Sequence, residues 1–229
     1  KSILEAFIHA GVSNNVKINI RWVDTEELEV NDNPEVVFRG IHGILIPGGF
    51  GNRGIEGKIL SSRYAREQKI PFFGICLGMQ CAVIDIARHR CKFKAANSIE
   101  FNKKTKFPVI NLMESQKKIS QKGGSMRLGS YSCSVSSGTK AYSAYRKKMI
   151  HERHRHRYEF NNKYKRKLIN AGMIISGINE KLNLVEMIEI SDHPWFVGVQ
   201  FHPELKSRLI KTHPLFKDFI KAAVRSRDV

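Results

Sequence analysis

Residues 72–80 read FFGICLGMQ, and this stretch decides the fold. A run of apolar residues closes on Cys76, which stands between Gly74 and Gly78. Neither a buried strand nor a helix interior favours glycine, so the pattern predicts a chain turning sharply from strand to helix with a thiol at the corner. Downstream, residues 77–89 (LGMQCAVIDIARH) carry apolar residues at 79, 82, 83, 86 and 87, a helical period. Upstream, 70–75 (IPFFGI) reads as a buried strand, 57–69 as a helix, and 43–47 (GILIP) as a second buried strand closed by Pro-Gly-Gly.

Short apolar strands alternating with helices predict an α/β fold: a doubly wound, mostly parallel sheet flanked by helices. The second half is richer in strands, predicted at 108–113, 130–135, 173–178, 183–190 and 195–201, before a terminal amphipathic helix at 213–226. Near the start, 2–10 reads as a helix stopping near Gly11, and 16–23 (VKINIRWV) alternates as a strand does. A doubly wound sheet normally opens on a strand, so a first strand is expected upstream of Lys1. The 229 residues suit one α/β domain spanning 1–229.

The chain is 41% hydrophobic and 26% charged, and carries a formal charge of +18. It has no apolar stretch of spanning length and no signal-peptide pattern, so the expectation is a cytoplasmic protein with no membrane partner. The basic residues are spread through 92–94, 102–106, 145–148, 152–158 and 163–167, without interleaved aromatics, which favours a solvated basic surface over a nucleic-acid groove. Cysteines at 76, 81, 91 and 133 form no CxxC pair and no zinc-finger spacing, so neither a metal nor a disulfide framework is expected.

A G-x-Nu-x-G elbow puts its central side chain at a helix N-terminus, where the dipole favours a thiolate and backbone N–H groups can receive an oxyanion. The alternative is a buried cysteine in a tight turn. A nucleophilic cysteine needs a base and an orienting group. His202 in GVQFHPEL ends an apolar strand, where open α/β sheets place their sites, and Glu204 lies two residues on, beyond a proline. The cluster PGGFGNRG (47–54) matches neither a P-loop nor GxGxxG, and reads better as a loop whose amides face the thiol.

Together, PGGFGNRGIEGK, GICLGMQ, ANSIEF, GGSMRLG, ERHRHRYEFN and HPWFVGVQFHPEL resemble the type 1 glutamine amidotransferase domain of CTP synthases, in order and over nearly the whole chain. The resemblance implies a triad in which Cys76 attacks, His202 shuttles the proton and Glu204 orients it. It also implies that Gly49 and Leu77 give backbone N–H groups to the oxyanion, and that Gln80, Glu100 and Arg157 hold L-glutamine with Phe50 nearby. An acid and an arginine suit the α-ammonium and α-carboxylate of that substrate.

Arg53 would belong to a lid that senses the effector GTP, and no cofactor is expected in this domain. By the same resemblance, an N-terminal synthase domain of the same polypeptide would bind ATP and Mg²⁺, and the whole would form a homotetramer. The sequence departs from the family in lacking the opening strand, in a short LMESQKKISQKGG segment and in a basic HRCKFKAAN stretch. A different triad amidotransferase, a catalytically dead binding module and a nucleic-acid binder are the competing readings.

Overall fold

The computed structural model describes residues 1–31, 33–112 and 126–227. The expected strand at 108–113 and the GGSMRLG and LMESQKKISQKGG segments therefore fall partly or wholly outside the described residues. Helices α1 (Ser2–Asn14), α2 (Thr25–Asn31) and α3 (Pro34–Val37) precede β1 (Ile44–Ile46), α4 (Ile55–Glu67), β2 (Phe72–Ile75) and α5 (Leu77–His89). Then follow β3 (Ala96–Ser98), β4 (Phe107–Asn111), β5 (Arg127–Val135), α6 (Lys140–Tyr145), β6 (Met149–His156) and β7 (Glu159–Phe160). The chain closes with α7 (Lys165–Asn170), β8 (Met173–Asn179), β9 (Leu184–Ile190), β10 (Phe196–Val199) and α8 (Pro214–Arg227).

The main sheet runs β1-β2-β10-β9-β8-β5-β6. Its parallel portion is β1, β2 and β10, and the strands of the second half add the antiparallel remainder. A smaller sheet, β3-β4-β7, lies beside it. Phe72 of β2 pairs with both Ile44 and Phe196, and its ring stacks on Phe196 at 4.3 Å. β2 is buried along its whole length because helices cover both faces: Phe72 joins the core under α4 and α5, whereas Phe73 and Ile75 join the core under α1 and α8. Burial on both sides is why these strands read as continuous apolar runs and not as alternating ones.

Two expectations fail near the start. Helix α1 passes through Gly11 and stops at Asn15, which takes the left-handed conformation (φ 54°) and closes the helix by donating its N–H to Val12 O. Gly11 is buried, and a Cβ there would lie 2.8 Å from Val16 O, so its glycine serves close packing and not the stop. Residues 16–23 form no strand. Their alternation lacks a ladder partner, since β1 pairs only with β2 among the described residues, and Trp22 is left 75% exposed.

Candidate active site

The parallel strands deliver their carboxyl ends to one place. Cys76 links β2 to α5 with φ 52° and ψ −102°, a conformation an L-residue holds only when its surroundings enforce it. Enforcement is local. The Cys76 N–H donates to Val199 O at 2.7 Å, and the Gln80 N–H donates to Cys76 O at 3.2 Å. A Cβ at Gly78 would stand 2.2 Å from Ile46 O, and one at Gly74 2.7 Å from the Gly78 carbonyl carbon. Both glycines are therefore close-approach positions, and the bend is as tight as the G-x-C-x-G spacing implies.

His202 follows β10 and is pinned through its backbone N–H to Arg153 O at 2.8 Å. Its Nδ1 lies 2.7 Å from Glu204 Oε1. A carboxylate only accepts, so the hydrogen sits on Nδ1 and Nε2 is turned away from the acid. Nε2 is buried and has no hydrogen-bond partner within normal geometry among the described residues, and the ring lies against the Cys76 side chain. Burial pulls the imidazole pKa down, but the contact with Cys76 and then the bond to Glu204 outweigh it and push the value up to about 10. Gly48 shows how close the parts are: a Cβ there would lie 2.6 Å from His202 Cε1 and 3.4 Å from Cys76 Cβ. Thiol, imidazole and carboxylate, expected from two separate stretches of the sequence, lie side by side.

Around them, Gly49 packs on Leu77, with a Cβ at 49 falling 3.1 Å from Leu77 Cδ2, so the two expected oxyanion residues are neighbours. Gln80 is buried and donates from Nε2 to Tyr158 O at 3.2 Å and to Gln200 Oε1 at 3.3 Å. Glu100 Oε1 accepts from the Gly51 N–H at 3.2 Å, which ties the 47–54 loop to the β3 end. Burial raises the Glu100 carboxyl, against the opposing pull of Gly51 and the positive Arg157. Arg157 keeps Nε buried without a hydrogen-bond partner among the described residues, and Phe50 stands exposed below the Arg155 guanidinium at 5.9 Å. Arg53 is turned outward to Glu26 of α2 at 2.7 Å.

Cys76 is only 3% exposed. A cleft of about 640 Å³ lies elsewhere, among Glu29, Glu56, Arg63, Arg88 and Lys94, and touches none of these residues. Cys81 and Cys133 are buried, and burial pushes both thiols up, Cys81 to about 12. Sequence reasoning missed Gln200, whose Nε2 lies 3.8 Å from Cys76 Sγ. Its only signal was a polar residue inside the apolar run WFVGVQF.

The chain has clear relatives among known proteins. Residues 1–222 match the family described as Glutamine amidotransferase class-I. The CTP synthase of Chlorobium phaeobacteroides is 59% identical over 224 residues, 97% of this chain and 40% of that protein. That of Clostridium kluyveri is 55% identical over 226 residues, 99% of this chain and 42% of that protein. Among solved structures, the glutaminase domain of Trypanosoma brucei CTPS with bound acivicin superposes with a TM-score of 0.92 at 36% identity, covering 98% of this chain and 87% of that one. A Thermoplasma acidophilum protein described as a GMP synthase subunit shares the fold alone, at TM-score 0.58 and 16% identity.

Proposed function

The chain belongs to the class-I glutamine amidotransferase family, and from that premise we propose that it hydrolyses the side-chain amide of L-glutamine through Cys76, His202 and Glu204. The observation that carries the reading is the set of groups at the elbow: a strained Cys76, the imidazole against its side chain, and a carboxylate 2.7 Å from the imidazole Nδ1.

The chemistry follows from those groups. With the imidazole raised to about 10, the ring is set to take and hold the proton of the attacking thiol. The sulfur attacks the amide carbon, and the carbonyl electrons move onto oxygen, where the N–H groups of Gly49 and Leu77 would receive the charge. The tetrahedral species collapses as His202 gives its proton to the departing nitrogen, which leaves as ammonia and a γ-glutamyl thioester behind. Water then attacks the thioester with His202 as base, releasing glutamate and restoring the thiol. Glu204 holds the ring in the tautomer both steps need. Glu100 and Arg157 would hold the substrate's ammonium and carboxylate, with Gln80 and Phe50 lining the pocket.

The chain spans about 40% of the length of the curated relatives it matches. In our reading the remaining length is a synthase domain that binds ATP and Mg²⁺, phosphorylates UTP and aminates it to CTP with the ammonia made here. On the same reading GTP is the effector, Arg53 lies in its lid, the assembly is a homotetramer and the compartment is the cytoplasm. No helix among the described residues is long and apolar enough to cross a membrane.

The test is glutamine hydrolysis with a Cys76→Ala control, together with covalent labelling by acivicin or 6-diazo-5-oxo-L-norleucine mapped by mass spectrometry. Activity abolished in the variant and label on Cys76 alone are expected. Equal labelling of all four thiols, or activity that survives Cys76→Ala, overturns the reading.

A further inference from the structure

Gln200 stands at the end of β10, completely buried, two residues before His202. Its backbone N–H is already used by Glu186 O at 2.9 Å, so its side chain is not needed to satisfy its own main chain. That side chain bridges two groups of the site: Nε2 lies 3.8 Å from Cys76 Sγ, and Oε1 lies 3.3 Å from Gln80 Nε2.

The orientation of the amide is fixed by a backbone group. The Tyr158 carbonyl can only accept, so the Gln80 atom facing it at 3.2 Å is the nitrogen. That nitrogen carries a second hydrogen, which points at Gln200 and requires an oxygen there. Gln200 therefore turns its NH₂ to the sulfur. A flip of either amide would set two donors, or two acceptors, against each other in a buried space.

We propose that Gln200 is a further catalytic residue, donating an amide hydrogen to the Cys76 thiolate and passing the position of that sulfur, through Gln80, to the Tyr158 backbone beside Arg157. A hydrogen bond to an ionised sulfur in a buried site is stronger than one to a neutral thiol. It favours the attacking form, and it fades once the sulfur is acylated and neutral, leaving the thioester free to react with water. The same bridge gives substrate held near Arg157 and Gln80 a rigid route to the nucleophile. This inference rests on the reading of Cys76 as the nucleophile.

The experiment compares Gln200→Glu, Gln200→Met and Cys76→Ala in the full-length protein, measuring glutamine turnover, the rate of iodoacetamide alkylation at Cys76, and the melting temperature. Gln200→Glu keeps an oxygen for Gln80 but removes the donor at the sulfur. It should lower kcat and the alkylation rate together by about ten- to a hundredfold, as loss of a hydrogen bond to a charged group does, while KM for glutamine stays within about twofold. Gln200→Met removes both contacts and should lower kcat and raise KM. Should Gln200→Glu fail to fold, Gln200→Met decides by alkylation at an unchanged melting temperature: a slower rate supports the role, a wild-type rate overturns it. Wild-type kcat and alkylation in Gln200→Glu, with Cys76→Ala inactive, would overturn the role of Gln200 and leave the nucleophile standing. Turnover that survives Cys76→Ala would remove both.

Discussion

Nδ1 of His202 and Oε1 of Glu204 lie 2.7 Å apart across Pro203, whose ring stiffens the two-residue link between base and carboxylate. This bond and the sulfur on the other side raise the imidazole from its ordinary 6.5 to about 10. A cation whose pKa is raised by folding stabilises the fold fully below its unfolded value and loses that contribution as pH climbs through the folded one. The wild-type protein is therefore expected to lose stability between about pH 6.5 and 10 more steeply than His202→Gln. Urea unfolding at pH 6, 8 and 10 measures it, and parallel slopes for the two proteins would refute it.

Replacing the acid tests the same bond through activity. Glu204→Gln keeps the shape but offers the ring an amide in place of a charge. Turnover of glutamine should fall about a hundredfold or more. Its alkaline limb should also move to lower pH, because one of the two groups that raise His202 is gone. A pH–rate profile that keeps its wild-type alkaline limb would show that Glu204 does not act on the imidazole.

Two glycines separate site from scaffold. Gly48→Ala would drive a methyl to within 2.6 Å of His202 Cε1, displacing a ring and no backbone. Activity should drop about tenfold or more while stability changes by about 1 kcal/mol or less. Gly78→Ala would instead meet the Ile46 carbonyl oxygen at 2.2 Å, between a strand and a helix that have no room to part. It should cost about 1–3 kcal/mol or more of stability. Calorimetry beside a glutaminase assay reads both, and equal effects of the two changes would contradict the geometry.

How much of this was legible depended on whether a residue's partners were local. The elbow was readable because FFGICLGMQ carries its own turn glycines and the period of α5. His202 and Glu204 were readable because a polar pair at the end of an apolar strand has few structural reasons to exist. β6 was not readable. Its residues, MIHERHRH, alternate in burial, but the inward face is Ile150, Glu152, His154 and His156, and only one of these is apolar. They are accommodated by distant partners: Glu152 accepts from Tyr145 Oη at 3.0 Å and faces His213, while His154 and His156 bond each other at 2.8 Å. Burial lowers both of those imidazoles, His156 to about 3, so they pack as neutral rings. In VKINIRWV the error ran the other way, because an alternating pattern specifies a strand only where a ladder exists to receive it.

The helix that carries the elbow is held by charge as well as packing. On α4, Arg66 places Nε 2.8 Å and Nη2 3.0 Å from the two oxygens of Asp85 on α5, a forked pair with the arginine 6% and the aspartate 0% exposed. His89, one turn on, adds Nδ1 at 2.9 Å from Asp85 Oδ1. Cutting the pair from one side strands a buried carboxylate, so Arg66→Met should destabilise the protein by about 3–5 kcal/mol. Removing both charges, as Arg66→Met with Asp85→Leu, should recover most of that loss, because no unpaired ion is left behind. Since neither side chain reaches Cys76, turnover per folded molecule should match the wild type in both variants. Denaturant titrations settle the energies. A single variant that costs less than about 1 kcal/mol, or a double variant no better than the single, would show that Asp85 does not depend on this arginine.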